Sequence, residues 1–330
     1  MLLSVLDQTP VSEGSSGPEA LQNTLDLART ADRLGYHRYW LAEHHGLSLA
    51  GPSPEVLIGP VAAATERIRV GSGGVMLPHY SPYKVAENFS LLAGLYPGRI
   101  DLAIGRASGT DPLTTYALQR DRRDVAPDDF PQQLAELLAH YDGTFPADHP
   151  FARLGRSLPG GDERPGIWLL GSSAQSAVWA AQLGLPYAFA DFINPGGAEI
   201  VAGYRQRAAE PRTAIGVWAI CAETDAEAER LATSIAMAFA MLRQNRPIPV
   251  PPPERALRYL EQYGDPGAGG RRRIVGSPET VRAGIEAVAA EYGADEVILV
   301  TITHDHAARR RSYELIAEAF GLRALTARAA

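Results

Sequence analysis

The feature that most restricts this 330-residue chain is an alternation of short apolar runs with longer stretches whose apolar residues recur at helical spacing. The runs fall at 3–6, 39–42, 68–77, 99–105, 167–170, 187–190, 215–222 and 296–302, and the helical patterns between and after them at 18–34, 55–66, 83–96, 174–183, 198–208, 225–243, 278–292 and 307–321. Punctuation agrees with this division: Gly35 stops the first helix, Pro54 opens the second, and Pro97-Gly98 follows the third. Strand followed by helix, repeated eight times, is the arithmetic of a (β/α)8 TIM barrel, usually about 250 residues. The surplus falls into two insertions. One follows the fourth strand, residues 110–165, with a helix expected near 130–141. The other follows the seventh, residues 244–273, and is rich in proline and then glycine, with two helical turns expected near 254–263. We read a single α/β domain over residues 1–330, with 244–273 as a mobile loop or lid.

In such a barrel the C-terminal strand ends converge on one rim. That rim would collect Asp7, His44, Gly73 and Gly74 with Met76, Arg106, Ser172, Ser173, Asp191, and His304, Asp305 and His306. The second strand is distinctive, because Tyr39-Trp40-Leu41-Ala42 runs directly into Glu43-His44-His45-Gly46. Successive strand side chains face opposite ways, so His44 looks one way and Glu43 and His45 the other. A solvated loop start and a catalytic constellation both accommodate these residues. Gly71, Gly73 and Gly74 in the third strand indicate either a bulge or the close approach of something flat to the backbone.

Two helix starts could receive a phosphate. Gly276-Ser277-Pro278-Glu279 supplies its own carboxylate to the positive end of its helix. Gly171-Ser172-Ser173-Ala174-Gln175-Ser176 has no acid in its first turn and leaves that pole to an outside anion, with Arg106 able to add a charge-assisted contact. An ordinary serine N-cap is the competing reading of the same residues.

Several function classes are disfavoured. A net charge of −7 and a pI near 5.7 argue against a nucleic-acid partner, and the triplets Arg271-Arg272-Arg273 and Arg309-Arg310-Arg311 are too local to reverse this. Cys221 is the single cysteine, which removes intrachain disulfides and thiolate zinc clusters. A G-x-G-x-x-G after an opening strand, a P-loop lysine motif and a G-x-S-x-G elbow are all missing. With no basic head at residues 1–7 and no apolar run of roughly 18 residues, a cytoplasmic protein is expected. Glu43, His44, His45, His304, Asp305 and His306 offer ligands for a metal-dependent hydrolase by type, but only Asp7 stands where such a barrel would carry H-x-H after its first strand. We assign no metal site.

From Leu3 to about Gly321 the chain resembles the bacterial luciferase-like flavin monooxygenases. The stretches that carry the likeness are Tyr39-Trp40-Leu41-Ala42-Glu43-His44-His45, Val70-Gly71-Ser72-Gly73-Gly74-Val75-Met76-Leu77-Pro78, Pro97-Gly98-Arg99-Ile100-Asp101-Leu102-Ala103-Ile104-Gly105-Arg106 and Trp168-Leu169-Leu170-Gly171-Ser172-Ser173. The tract from Leu92 to Leu102, with Gly105-Arg106-Ala107-Ser108-Gly109-Thr110-Asp111, is similar to a subgroup of uncharacterised luciferase-like oxidoreductases. The resemblance implies a barrel that binds FMN, supplied reduced by a separate flavin reductase. It further implies activation of O2 as a flavin hydroperoxide and oxygenation of a small organic substrate. By motif position it implies His44 as the active-site histidine, Arg106, Ser172, Ser173 and Ser176 as phosphate contacts, and Gly73, Gly74 and Met76 as flavin contacts, with the Gly73–Gly74 peptide expected to be cis. It also implies a homodimer packed through the helices near 54–66 and 83–96. Two departures leave the substrate unnamed and make light emission unexpected. Gly105 stands where the light-emitting α chain has a cysteine, and the proline-rich segment matches no residue of the family's mobile loop. The alternatives are a deazaflavin-dependent hydride-transfer enzyme on the same barrel and a non-catalytic flavin-binding protein, the latter disfavoured by His44.

Overall fold

Caps fix where the helices begin and end. In α1 (Gly17–Leu34) the Ser16 hydroxyl accepts from the Glu19 N–H while the Glu19 carboxylate accepts from the Ser16 N–H, and Gly35 closes the helix in the left-handed region at φ 89°. The other helices are α2 (Pro54–Ala63), α3 (Pro82–Leu95), α4 (Pro112–Leu118), α5 (Phe130–Asp142), α6 (Ala174–Gln182), α7 (Ala198–Arg207), α8 (Asp225–Arg243), α9 (Pro253–Tyr263), α10 (Pro278–Tyr292) and α11 (His306–Phe320). The strands are β1 (Leu2–Asp7), β2 (Arg38–Leu41), β3 (Arg69–Met76), β4 (Ile100–Gly105), β5 (Gly166–Gly171), β6 (Tyr187–Ala190), β7 (Thr213–Cys221), β8 (Arg273–Gly276) and β9 (Glu296–Val300). This computed structural model describes residues 1–46, 48–106, 110–119, 128–264 and 272–323.

All strand pairings are parallel. β1 to β7 pair in succession and β9 joins β7 to β1, closing an eight-stranded barrel. One correction to the sequence reading concerns β8, which begins at the last residue of the irregular segment and was assigned no strand. It pairs with the end of β7, from Trp218 opposite Arg273 to Cys221 opposite Gly276. With only Ile274 and Val275 between an arginine and a glycine, it is too short to register as an apolar run.

The barrel sorts its side chains with the period of two that parallel strands impose. Leu3, Val5, Tyr39, Leu41, Leu102, Ile104, Val297 and Leu299 face the helices, whereas Leu6, Trp40, Ala103, Ile298 and Val300 belong to the inner cluster. Two buried charge networks pin the ring. In the first, Arg38 reaches Asp101 at 2.7 Å and Glu296 at 2.9 Å, joining β2, β4 and β9, and its guanidinium lies 4.7 Å from the Trp168 ring. In the second, Asp7 accepts from Arg309 at 2.7 Å, from the Tyr39 hydroxyl at 2.5 Å and from the Thr24 hydroxyl at 2.7 Å. Burial pushes the Asp7 carboxyl up, but Arg309 and these hydrogen bonds outweigh it and hold the group below the usual aspartate range.

Part of the segment expected as a lid is docked. The Val250 N–H donates to the Val11 carbonyl at 2.9 Å, and the Glu13 N–H donates to the Val250 carbonyl at 2.8 Å. Where two helical turns were expected, α9 runs the whole of Pro253–Tyr263 and sets Ala256 against Met237 and Met241 of α8. Residues 265–271 of that segment, including Arg271, lie outside the described residues, as do Ala107, Ser108 and Gly109 of the strand-4 motif. Among the described residues no helix is long and apolar enough to cross a membrane.

Candidate active site

The ends of β1 to β6 surround a cavity of about 570 Å³, within the usual size range for cofactor and substrate sites. Seven of the eight residues singled out from the sequence line it: His44, Gly73, Met76, Arg106, Ser172, Ser173 and Ser176. Gly74 is the exception. A Cβ built on it would point at the β4 backbone, 2.7 Å from the Ala103 carbonyl oxygen, so its Cα faces the neighbouring strand.

The glycine-rich strand carries the bulge that was one of the two readings of its sequence. Pairing with β4 slips between Gly73 and Val75, and the Gly73–Gly74 peptide is cis as expected. At Gly73 a side chain would also collide with the barrel interior, 2.6 Å from Leu6 Cδ1 and 2.9 Å from Trp40 Cβ. The backbone itself therefore forms that part of the cavity wall.

At the opposite pole stands the start of α6. Ser173 is its N-cap and accepts from the Ser176 N–H at 3.4 Å, so the ordinary capping role is real. The first turn nonetheless carries no acidic residue. Ser176 is buried, and its hydroxyl donates to the Ser173 carbonyl at 2.8 Å and meets the Tyr187 hydroxyl at 2.9 Å, which clamps the first turn of α6 to β6. Burial pushes the Tyr187 phenol up to about 12, so it stays a proton donor. Arg106 is half exposed, 3.6 Å from Asp128 and 5.9 Å from the Trp179 ring.

His44 comes from the second pole, at the adjoining ends of β1 and β2. Although β2 ends at Leu41, alternation persists beyond it: His44 lines the cavity while Glu43 is fully buried on the other side. The Glu43 carboxylate accepts from the Met76 N–H at 2.8 Å and the Tyr80 hydroxyl at 3.0 Å, and contacts His45 Nε2 at 3.1 Å. Glu43 thus ties the ends of two cavity strands together.

The remaining rim candidates are elsewhere, a second correction. Asp7 is held in the network with Arg309, and Asp191 accepts from the Tyr292 hydroxyl at 2.7 Å and pairs with Arg272 at 3.2 Å. His304 Nε2 lies 3.1 Å from the Glu13 carbonyl, His306 pairs with Asp26 at 2.8 Å, and Asp305 caps α11. None of these side chains lines the cavity: Asp305 caps its own helix and the others link separate elements. Among the described residues no three His, Cys, Asp or Glu side chains are grouped as metal ligands.

The sequence reading missed Gln8, Phe130, Trp179 and Phe192, which also line the cavity. Gln8 was recoverable: Leu6 faces inward, so the period of two turns Asp7 out and Gln8 in. Phe130 arrives on the excursion helix after β4 and packs on Trp179 with ring centroids 5.5 Å apart, a meeting that no local pattern encodes.

The model of the luciferase-like monooxygenase family matches residues 1–296. A protein of Escherichia coli (strain K12) named luciferase-like monooxygenase is 42% identical over 325 residues, covering 94% of this chain and 95% of its own. The crystal structure of apo-MsnO8 superposes with a TM-score of 0.89 at 43% identity, covering 97% of this chain and 98% of that one. The oxygenating constituent of 3,6-diketocamphane monooxygenase from Pseudomonas putida, solved in complex with FMN, shares the fold at a TM-score of 0.71 and 21% identity, with 96% and 97% covered. On the match along most of its length, the chain belongs to the luciferase-like monooxygenase family.

Proposed function

We propose that this protein is an FMN-dependent monooxygenase that receives reduced FMN from a separate flavin reductase and oxygenates a small organic substrate. The carrying observation is that one cavity unites an acid-free helix start, Arg106, a side-chain-free wall at Gly73, and His44. When bound, reduced FMN supplies the two electrons with which one atom of O2 enters the substrate and the other leaves as water. The backbone N–H groups at the start of α6, the Ser172 and Ser173 hydroxyls and Arg106 would hold the phosphate. Gly73 and Met76 would seat the flat ring, because nothing projects from the backbone at Gly73. Phe130, Leu170, Trp179 and Phe192 would help to exclude water from the bound ring. His44 would hold or move a proton at an imidazole nitrogen near neutral pH. The protein would work as a homodimer.

The test is anaerobic titration with photoreduced FMN, followed by mixing with O2. Reduced FMN should bind, and its oxidation should be slower than in free solution. His44→Ala should keep FMN affinity within about twofold but change the oxidation rate at least about tenfold. Bound FMN that oxidises as fast as free FMN, or binding of a reduced deazaflavin in its place, would overturn the reading in favour of hydride transfer.

A further inference from the structure

The mouth of the barrel is divided. The cavity lies over β1 to β6, while α8 roofs β7 and β8. Beneath that roof is a second, apolar cleft of about 30 Å³ between Trp218 and Ile220 of β7, Val275 of β8, and Ala232, Ile235 and Phe239 of α8. One wall separates the two spaces. Phe192, which lines the cavity, meets Trp218 edge-on with ring centroids 5.9 Å apart, and Trp218 meets Phe239 in the same manner at 5.2 Å. Residues of both spaces, Leu6 and Ala42 on one side and Ile220, Ala232 and Ile235 on the other, belong to one apolar cluster.

The wall carries an anomaly. Trp218 is 5% exposed, yet among the described residues its indole N–H meets no hydrogen-bond acceptor. A buried donor left unpaired is costly, and native proteins generally satisfy such groups with water or a ligand. Among the described residues the rest of the cleft lining is apolar save Arg243 and Arg273, whose guanidinium groups are donors and offer no acceptor.

We infer that the cleft receives the saturated end of the substrate and that Trp218 Nε1 donates to an oxygen on that substrate where it passes the wall. This rests on the monooxygenase reading for the fate of the molecule, but not for its binding. The class it selects is an apolar molecule with one hydrogen-bond acceptor and a short alkyl terminus. The cleft has room for roughly one or two methyl-sized groups. Ile235 and Ala232 set its depth.

The experiment titrates a series of alkan-2-ones, from 2-butanone to 2-undecanone, into flavin-free and FMN-saturated protein by calorimetry. Affinity should rise about fourfold per methylene up to one chain length and then level off. Ile235→Ala should move that limit one or two carbons longer, and Ala232→Leu should move it shorter. Trp218→Phe should lower affinity about fivefold at every length while leaving the limit in place. Failure of every alkanone to bind, or a limit unmoved in both depth variants, would overturn the inference. FMN affinity and melting temperature, measured separately on each variant, show whether the fold is intact. Alkanone binding that persists without FMN affinity would sink the flavin reading and leave this inference standing.

Discussion

A methyl group at Gly171 would lie 2.1 Å from Ser176 Oγ and 2.5 Å from Ser176 Cβ. Nothing can move aside cheaply, because Ser176 is held by both Ser173 and Tyr187. Gly171→Ala should therefore lower stability by about 1–3 kcal/mol. On the proposed FMN reading it should also weaken flavin binding at least about tenfold, since the displaced residue belongs to the first turn of α6. Denaturant unfolding and flavin-fluorescence quenching would measure the two effects. At this scale, legibility followed chemistry. Arg106, Ser172 and Ser173, which line the cavity, stood out because an anion site would need donors at a helix start with no acid of its own, and His44, which lines it too, because its neighbours are ionisable on both sides. Phe130 and Trp179 had no such marker. Their place in the cavity comes from one helix packing on another.

Four elements meet at Asp7: β1 carries it, and β2, α1 and α11 reach it through Tyr39, Thr24 and Arg309. Its folded pKa is depressed, so its contribution to stability is complete above the ordinary aspartate value of about 3.9 and is lost as the pH falls through the lower folded value. Wild-type urea midpoints should fall as the pH drops below about 4. Asp7→Asn should cost about 3–5 kcal/mol at neutral pH, because Arg309 would be left buried without its counter-charge, and the acid-side slope should flatten. A variant as stable as wild type at pH 7 would contradict the account. The same element scale shows where reading failed. Strands with several apolar residues and helices with caps were visible, whereas β8 has two apolar residues and α4 is a short helix on which no residue is buried. Asp7, read as a rim group, is a structural one because the side of a strand, not its end, decides which way a residue faces.

For the molecule as a whole, the barrel was legible because its strand-helix repeat occurs eight times, the number at which a tilted parallel sheet closes on itself. The proposed dimer belongs to this scale as well. Val56 of α2 and Leu91 and Leu95 of α3 are 65%, 49% and 63% exposed, an apolar face on the two helices through which the subunits would pack. Leu91→Glu with Leu95→Glu should convert a dimer into a monomer in light scattering while leaving the far-ultraviolet spectrum unchanged. A dimer that survives both charges would place the interface elsewhere. Closure of the barrel through β9 has a further consequence, for synthesis. The ribosome delivers β1 to β7 long before residues 296–300, so the emerging chain carries two open parallel edges and an Arg38 that has Asp101 but not yet Glu296. β9 supplies both the missing wall and the missing charge, and until it arrives the edges of the unfinished sheet are open to pairing with other chains.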